Sequence, residues 1–414
     1  MSVPVVAIFG AGNRAHNTMR VAADKGTLRV KYLWDTNDEQ REWLNAQHGF
    51  GALLPTSPEV CCHDPEVDGV IVMTPQNARR EYVEMVAAAG KNLYLDKPVA
   101  ANPADVQAIW RCLHTSAVRT ITGFTLRYMP GFYTVKDLIA SGALGELTHI
   151  RACQHIPALG GLNFRRKWSR KTAASGGYVN EMGVHDIDAL IWLSGSVPKR
   201  VIAMQERSLY PPRPDRPQHC SDCADVECPY RCAPSATVNE VKTPIGGLNL
   251  SPDMKANPKK YGLDLCCYNS GHDLYDRGAF AIEMENGVLA TFEFNSCCAV
   301  ASREYQIMGS EGMVWGNLPS NRFMYQSHFS NTPREYDERG KALPETGGEP
   351  VFGDSALFDD FAAMLQTGKK PKADVRNAAL ACMTIFAGEE STRTGTHVRL
   401  REFVDPDLRE SLLA

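Results

Sequence analysis

Residues 181–193, EMGVHDIDALIWL, set three ionisable side chains where one face of a helix gathers them. Glu181, His185 and Asp188 follow at i, i+4 and i+7, while Val184, Ile187 and Ile191 form a separate apolar stripe. Such a helix packs on one side and offers two carboxylates and an imidazole on the other. An imidazole with an ordinary pKa near 6.5 takes up and returns a proton at neutral pH, as general acid–base work requires. Gly183 inside the helix costs about 1 kcal/mol relative to alanine, which points to a close approach there. A second chemical stretch is HCSDCADVECPYRC at 219–232. Its spacing, Cys220-x2-Cys223-x4-Cys228-x3-Cys232, brings four thiols within reach of one centre. Zinc in a structural site takes four such ligands. An iron–sulfur cluster also takes four, although this spacing matches neither common ferredoxin run. A redox C-x-x-C pair needs an exposed thiolate at a helix N-terminus, which this proline-rich stretch does not resemble. A set of metal-free thiols is the remaining alternative.

These residues need elements to position them, and the N-terminal third supplies a recognisable set. VPVVAIF (3–9) reads as a strand, GAGNRA (10–15) as a glycine turn, and the residues up to about Lys25 as a helix. In this G-x-G-x-x-A pattern, Gly10 allows the tight turn. Gly12 lets a pyrophosphate approach the backbone, and Ala15 replaces the third glycine. The free N–H groups of the helix start favour phosphate, so Asn13 and Arg14 join the candidate cofactor residues. LRVKYLW ends at Asp35, where a carboxylate binds the ribose hydroxyls of NAD and repels the extra phosphate of NADP. DGVIVMT (68–74) and KNLYLDK (91–97) alternate with helical stretches, the mark of a doubly wound parallel sheet. Ligands in such sheets lie beyond the carboxyl ends of the strands. Two groups fall there: Thr74-Pro75-Gln76-Asn77 and Asp96-Lys97-Pro98.

Bulk properties exclude several classes. A net charge of -4 and a pI near 6.3 leave no footprint for nucleic acid. No apolar run approaches a membrane span, and MSVPVVAIFGAG lacks the basic start of a signal peptide. A reducing cytoplasm is the expected compartment, where structural disulfides are disfavoured. The adjacent pairs Cys61-Cys62, Cys266-Cys267 and Cys297-Cys298 read mainly as small buried hydrophobes.

Six motifs in order resemble the Gfo/Idh/MocA group of oxidoreductases: GAGNRA, Thr74-Pro75, DKP at 96–98, FTLRYMP at 124–130, SGGYVNEMGVHDIDALIWLSG at 175–195, and FDDFAAMLQTGKKP near the C-terminus. Asp96 stands where the group usually has glutamate, and Glu181 where aspartate is commoner. The resemblance covers nearly the whole chain. It implies a Rossmann domain over 1–125 and an α/β domain over 126–414 with a large, mostly antiparallel open sheet. It further implies that this sheet pairs subunits into a homodimer or homotetramer, and that Lys97, Glu181 and His185 surround the reacting carbon. His185 would then be the acid/base, Glu181 would orient its ring, and Lys97 would bind the reacting oxygen and lower the pKa of its neighbour. Arg127 and Tyr128, at the domain junction, are expected to touch cofactor or substrate. Asp188 joins the substrate face. NFRRKWSRK (163–171) is expected near the substrate, with the Trp168 indole against sugar C–H groups and Arg166 toward an anionic group.

Residues 208–262 form a loop-rich insertion in the second domain. A subgroup of the family has a similar stretch and a later Cys-x-Tyr, which resembles Cys266-Cys267-Tyr268. That implies Cys266 as an alternative fourth metal ligand to Cys232. The functional expectation is an NAD(H)-dependent dehydrogenase acting on a secondary hydroxyl of a sugar, sugar acid or cyclitol. An NAD-dependent glycosidase, which oxidises C3 transiently, uses the same residues. A non-catalytic sensor of nucleotide and sugar would have no need to retain Lys97 and His185.

Overall fold

A computed structural model describes residues 2–231, 252–337 and 353–414. The first five strands are β1 (Val5–Phe9), β2 (Arg29–Trp34), β3 (Gly69–Val72), β4 (Asn92–Leu95) and β5 (Thr120–Thr122). They pair in parallel in the order β2-β1-β3-β4-β5. Every residue of β3 is buried, as expected of a strand covered on both faces by helices. The strand order reverses at β1, so the crevice for a ligand opens directly after Phe9, at the glycine turn.

The second sheet contains β6 (Leu147–Pro157), β7 (Pro198–Glu206), β8 (Arg277–Met284), β9 (Leu289–Cys298), β10 (Tyr305–Gly309), β11 (Gly312–Asn317), β12 (Arg322–Ser327), β13 (Arg334–Asp337) and β14 (Val398–Arg399). Its order is β13-β12-β11-β10-β6-β9-β8-β7-β14, with β6–β9 the parallel pair. Alternation sends Ile150, Ala152, Val201, Phe280, Ile282, Phe292 and Tyr305 into the core. Helices Val184–Ser194 and Val375–Thr394 contribute to the same core. The opposite face is open, with Met204 75% exposed. Among the described residues, no helix is long and apolar enough to cross a membrane.

One helix departs from the division of the chain at 125/126. Asp354–Thr367 buries Leu357, Phe358, Phe361 and Met364 in the core of the first domain. Phe358 stacks on Tyr94 of β4 at 5.4 Å. The first structural unit therefore takes back a segment from near the C-terminus, because that segment's apolar stripe matches the first sheet.

Candidate active site

The glycine turn is set by its surroundings. Gly10 has φ +102, and a Cβ there would lie 2.9 Å from the Met73 carbonyl group. Both facts exclude a side chain. Gly12 differs: a Cβ there meets nothing within 4 Å. It caps the helix Asn13–Lys25 with no side-chain hydrogen bond to the first turn. Open space at a helix start is what a pyrophosphate needs. Asp35 follows β2, and its carboxylate accepts from the backbone N–H of Ala11 at 2.7 Å and of Asn37 at 2.8 Å. It therefore ties the glycine turn to the end of the second strand. Thr74, after β3, has a buried hydroxyl with no hydrogen-bond partner, and so does the side-chain oxygen of Gln76. These polar atoms at the sheet edge fit a bound dinucleotide. Pro75 and Asn77 beside them are exposed.

The second domain brings its chemistry to the same edge. Lys97, in a cis Lys97–Pro98 bond, donates to the backbone carbonyl of Glu181 at 2.6 Å. The Glu181 carboxylate accepts from the Gln76 side chain. Burial lowers the Lys97 pKa, opposed by the charges of Glu181 and Asp96. His185 packs edge-on against Phe124, 5.9 Å between ring centres, and its Nδ1 is buried without a partner. Burial first, and then the positive charges of Lys97 and Arg303, hold its pKa well below 6.5. The imidazole is therefore neutral at pH 7 and ready to accept a proton.

Glu181 does not orient the His185 ring. Residues Val179–Gly183 form a π-helical turn, and the Glu181 carboxylate is held by the Gln76 side chain while the His185 Nδ1 is left without a partner. Gly183 sits in that turn because a Cβ there would lie 2.9 Å from both Phe292 and Val179. The close approach expected from sequence is real, but the neighbour is the packed core.

Four expected ligand contacts are instead internal. Arg127 is buried and grips Asp188 through two hydrogen bonds of 2.8 and 2.7 Å. Its remaining nitrogen donates to the Lys372 carbonyl at 2.9 Å. Tyr128 is buried, and its hydroxyl donates to Asp360 at 2.8 Å. Arg14 turns from the crevice to Asp96 at 3.2 Å and Asp354 at 2.7 Å. Low-dielectric surroundings make these pairings strong, and the side chains are spent on domain architecture. Sequence reasoning missed Asp186, which is fully buried and takes Arg303 at 2.8 and 2.6 Å. It follows His185 directly, so an unexplained carboxylate inside the helix motif was the available signal.

The loop 163–171 is clamped by Tyr230 within the insertion and by residues just after it. Arg166 is buried and donates through Nη2 to the Tyr230 carbonyl, while its Nε and Nη1 are buried without a partner. Arg170 donates to the Ser270 carbonyl at 3.1 Å, and Asp273 accepts from the Thr172 N–H at 2.7 Å. Trp168 remains 43% exposed on this held loop.

The cysteines do not gather as their spacing suggests. Cys232 lies outside the described residues. Cys220 and Cys266 pack together because His219 and Leu265 form an antiparallel bridge. The Cys266 thiol is pulled down to about 6, chiefly by a hydrogen bond with Cys267. Cys228 accepts from Arg216 at 3.2 Å. Among the described residues, the group of three His, Cys, Asp or Glu ligand atoms within 4.8 Å of one another is Cys153, His155 and Glu293, on the second sheet. Cys220, Cys223, Cys228 and Cys266 form no such group, so the zinc or iron–sulfur reading of the insertion is not supported.

The fold and its edge residues define a two-domain α/β protein: a Rossmann domain with a glycine turn and a lysine at a strand end, closed by an open-sheet domain that presents an imidazole. The chain belongs to the Gfo/Idh/MocA oxidoreductase family. The family model for the oxidoreductase NAD-binding Rossmann fold matches residues 5–124, and that for the GFO/IDH/MocA C-terminal domain matches 132–315. Inositol 2-dehydrogenase from Rhizobium meliloti is 26% identical over 196 residues, 47% of this chain and 56% of the relative. Glucose-fructose oxidoreductase domain-containing protein 1 of Mus musculus is 29% identical over 194 residues, 47% and 48% of the two chains. Such matches span about half the length of these curated relatives. Among solved structures, levoglucosan dehydrogenase in complex with NADH and L-sorbose superposes with a TM-score of 0.72 at 16% identity. That alignment covers 97% of this chain and 99% of the other. Aldose-aldose oxidoreductase from Caulobacter crescentus gives a TM-score of 0.68 at 18% identity, covering 96% of this chain and 100% of that one.

Proposed function

We propose that the protein is an NAD(H)-dependent dehydrogenase acting on a secondary hydroxyl of a sugar, sugar acid or cyclitol. The observation that carries this reading is His185, neutral and with an unpartnered nitrogen, at the sheet edge where Lys97 also projects. Nicotinamide, when bound, supplies the hydride acceptor. Gly10, Gly12 and the helix start hold its pyrophosphate, and Asp35 takes the ribose hydroxyls and disfavours a 2′-phosphate. His185 accepts the hydroxyl proton. Lys97 spends one N–H on the Glu181 carbonyl and keeps two for the reacting oxygen, stabilising its developing negative charge. Gln76 holds the Glu181 carboxylate beside them. The relatives support the substrate range: one is named for inositol and one neighbour was solved with L-sorbose. The open face of the second sheet, with Ile202, Met204 and Leu289 exposed, supports a homodimer or homotetramer.

The test is NADH absorbance at 340 nm on incubation with NAD and a panel of sugars, sugar acids and cyclitols. His185→Ala should abolish turnover while nucleotide affinity stays unchanged. Full turnover in that variant removes His185 from the mechanism. Release of an aryl aglycone from a glycoside without NADH accumulation would favour transient oxidation instead.

A further inference from the structure

The stretch NFRRKWSRK carries five cations, and the structure gives four of them partners. Arg165 is buried against the Asp276 carboxylate and the Ser296 hydroxyl. Arg166 donates to the Tyr230 carbonyl, Arg170 to the Ser270 carbonyl, and Lys171 to the Gly271 carbonyl. Lys167 is the exception. It is half-buried, and among the described residues its ammonium meets neither a carboxylate nor a carbonyl. It rests over the Phe164 ring at 4.5 Å. Phe164 packs edge-on against Tyr178, 5.3 Å between ring centres, three residues before Glu181. The clamped loop thus holds Lys167 toward the catalytic helix, and the exposed Trp168 follows it. A half-buried ammonium with neither a hydrogen bond nor a close ion pair among the described residues gains when a ligand supplies one. Burial also lowers its pKa, and the nearby Glu181 charge opposes that shift.

We propose that Lys167 anchors a carboxylate on the substrate, which makes the substrate class sugar acids rather than neutral sugars or cyclitols. This rests on the dehydrogenase reading above and narrows it. One ammonium matches one negative charge, whereas a phosphate ester carries up to two. Arg165 is engaged by Asp276 and Ser296, while Arg166 gives one nitrogen to the Tyr230 carbonyl and keeps its buried Nε and Nη1 without a partner. Trp168 offers an apolar face for the C–H groups of the sugar acid.

The experiment uses full-length protein saturated with NADH and two matched pairs of probes: D-gluconate with D-glucitol, and D-galactonate with D-galactitol. Each pair differs only in a carboxylate against a CH2OH. Calorimetric titration at low salt should show at least one acid binding about tenfold tighter than its polyol, as a charge-assisted contact gives. Lys167→Met should bring that ratio to within about twofold, and Lys167→Arg should keep most of it. In turnover, the loss should fall on KM rather than kcat. Equal binding of acid and polyol overturns the proposal. So does a preference that survives Lys167→Met, or millimolar acid that does not bind at all. Failure of the dehydrogenase reading is separable: acids would bind preferentially through Lys167, yet no probe or oxidised counterpart would exchange hydride with the nucleotide.

Discussion

The Arg127–Asp188 pair allows a quantitative test of an architectural against a ligand-binding role. Replace Asp188 with alanine. The two hydrogen bonds of 2.7 and 2.8 Å vanish, and the Arg127 guanidinium stays buried with only the Lys372 carbonyl and the Trp192 ring, 5.4 Å away, for company. Removing one partner of a buried ion pair costs about 3–5 kcal/mol, mostly through the charge left behind. Unfolding entropy is about 2.1 cal/mol/K per residue. For a cooperative unit the size of this 414-residue chain, that cost lowers Tm by about 3–6 °C. A smaller cooperative unit would show a larger drop. Differential scanning calorimetry measures it, with NADH affinity determined in parallel well below Tm. The affinity should be retained, because neither side chain faces the crevice. Arg127→Met combined with Asp188→Leu should recover more than half the loss, since it removes the stranded charge and keeps volume. An unchanged Tm in Asp188→Ala, together with lost nucleotide or substrate binding, would refute the reasoning.

Two further outcomes are expected. Asp35→Ala removes the acceptor for the Ala11 and Asn37 N–H groups and the proposed ribose ligand, so NADH should bind about tenfold more weakly and the preference over NADPH should shrink; an unchanged preference in fluorescence titration would count against Asp35 as the discriminator. Burial lowers the pKa of His16 to about 4, of His272 to about 4, and of His48 and His185 below 6.5. At these histidines the unfolded chain binds more protons between about pH 6.5 and the lower folded-state values, so their contribution to stability falls as pH drops through that window, while Glu389, raised to about 8 by burial, contributes in the opposite direction. Thermal melts from pH 7.5 to 4.5 should therefore show a smaller acid-side loss in His16→Gln and His272→Gln than in the parent; an unchanged profile in both variants would contradict these shifts.

The parts legible in the sequence were local. Gly10, Gly12 and Asp35 announce the first domain because a turn, a helix start and a strand end lie within 26 residues. The ordered motifs identify the family and the two-sheet fold, and both are borne out. The long-range pairings were not legible. Arg14 meets Asp354 across 340 positions of chain, and no periodicity encodes that partner. Arg127, Tyr128 and Asp188 read as ligands because polar residues near a site motif look alike before burial and partners are known. The π-helical turn was also hidden: EMGVHDIDALIWL has an ordinary helical stripe, and the core packing of Gly183 against Phe292 accompanies the wide turn. Likewise, thiol spacing in the insertion gives reach but not convergence: among the described residues, Cys220, Cys223 and Cys228 form no group of metal-ligand atoms.

The clamp on residues 163–171 has a consequence for how such a protein can change. His185 and Lys97 stand on a core helix and a strand end, while Lys167 and Trp168 hang from a bracket made of residues 230 and 270–273. These are separate mountings. Length or sequence drift in the peripheral bracket re-aims the selecting loop and leaves the proton-handling helix untouched. On the proposed reading, Tyr230 and residues 270–273 form an adjustable tool-rest beside a stationary spindle, and a new substrate range can be reached without rebuilding the machine.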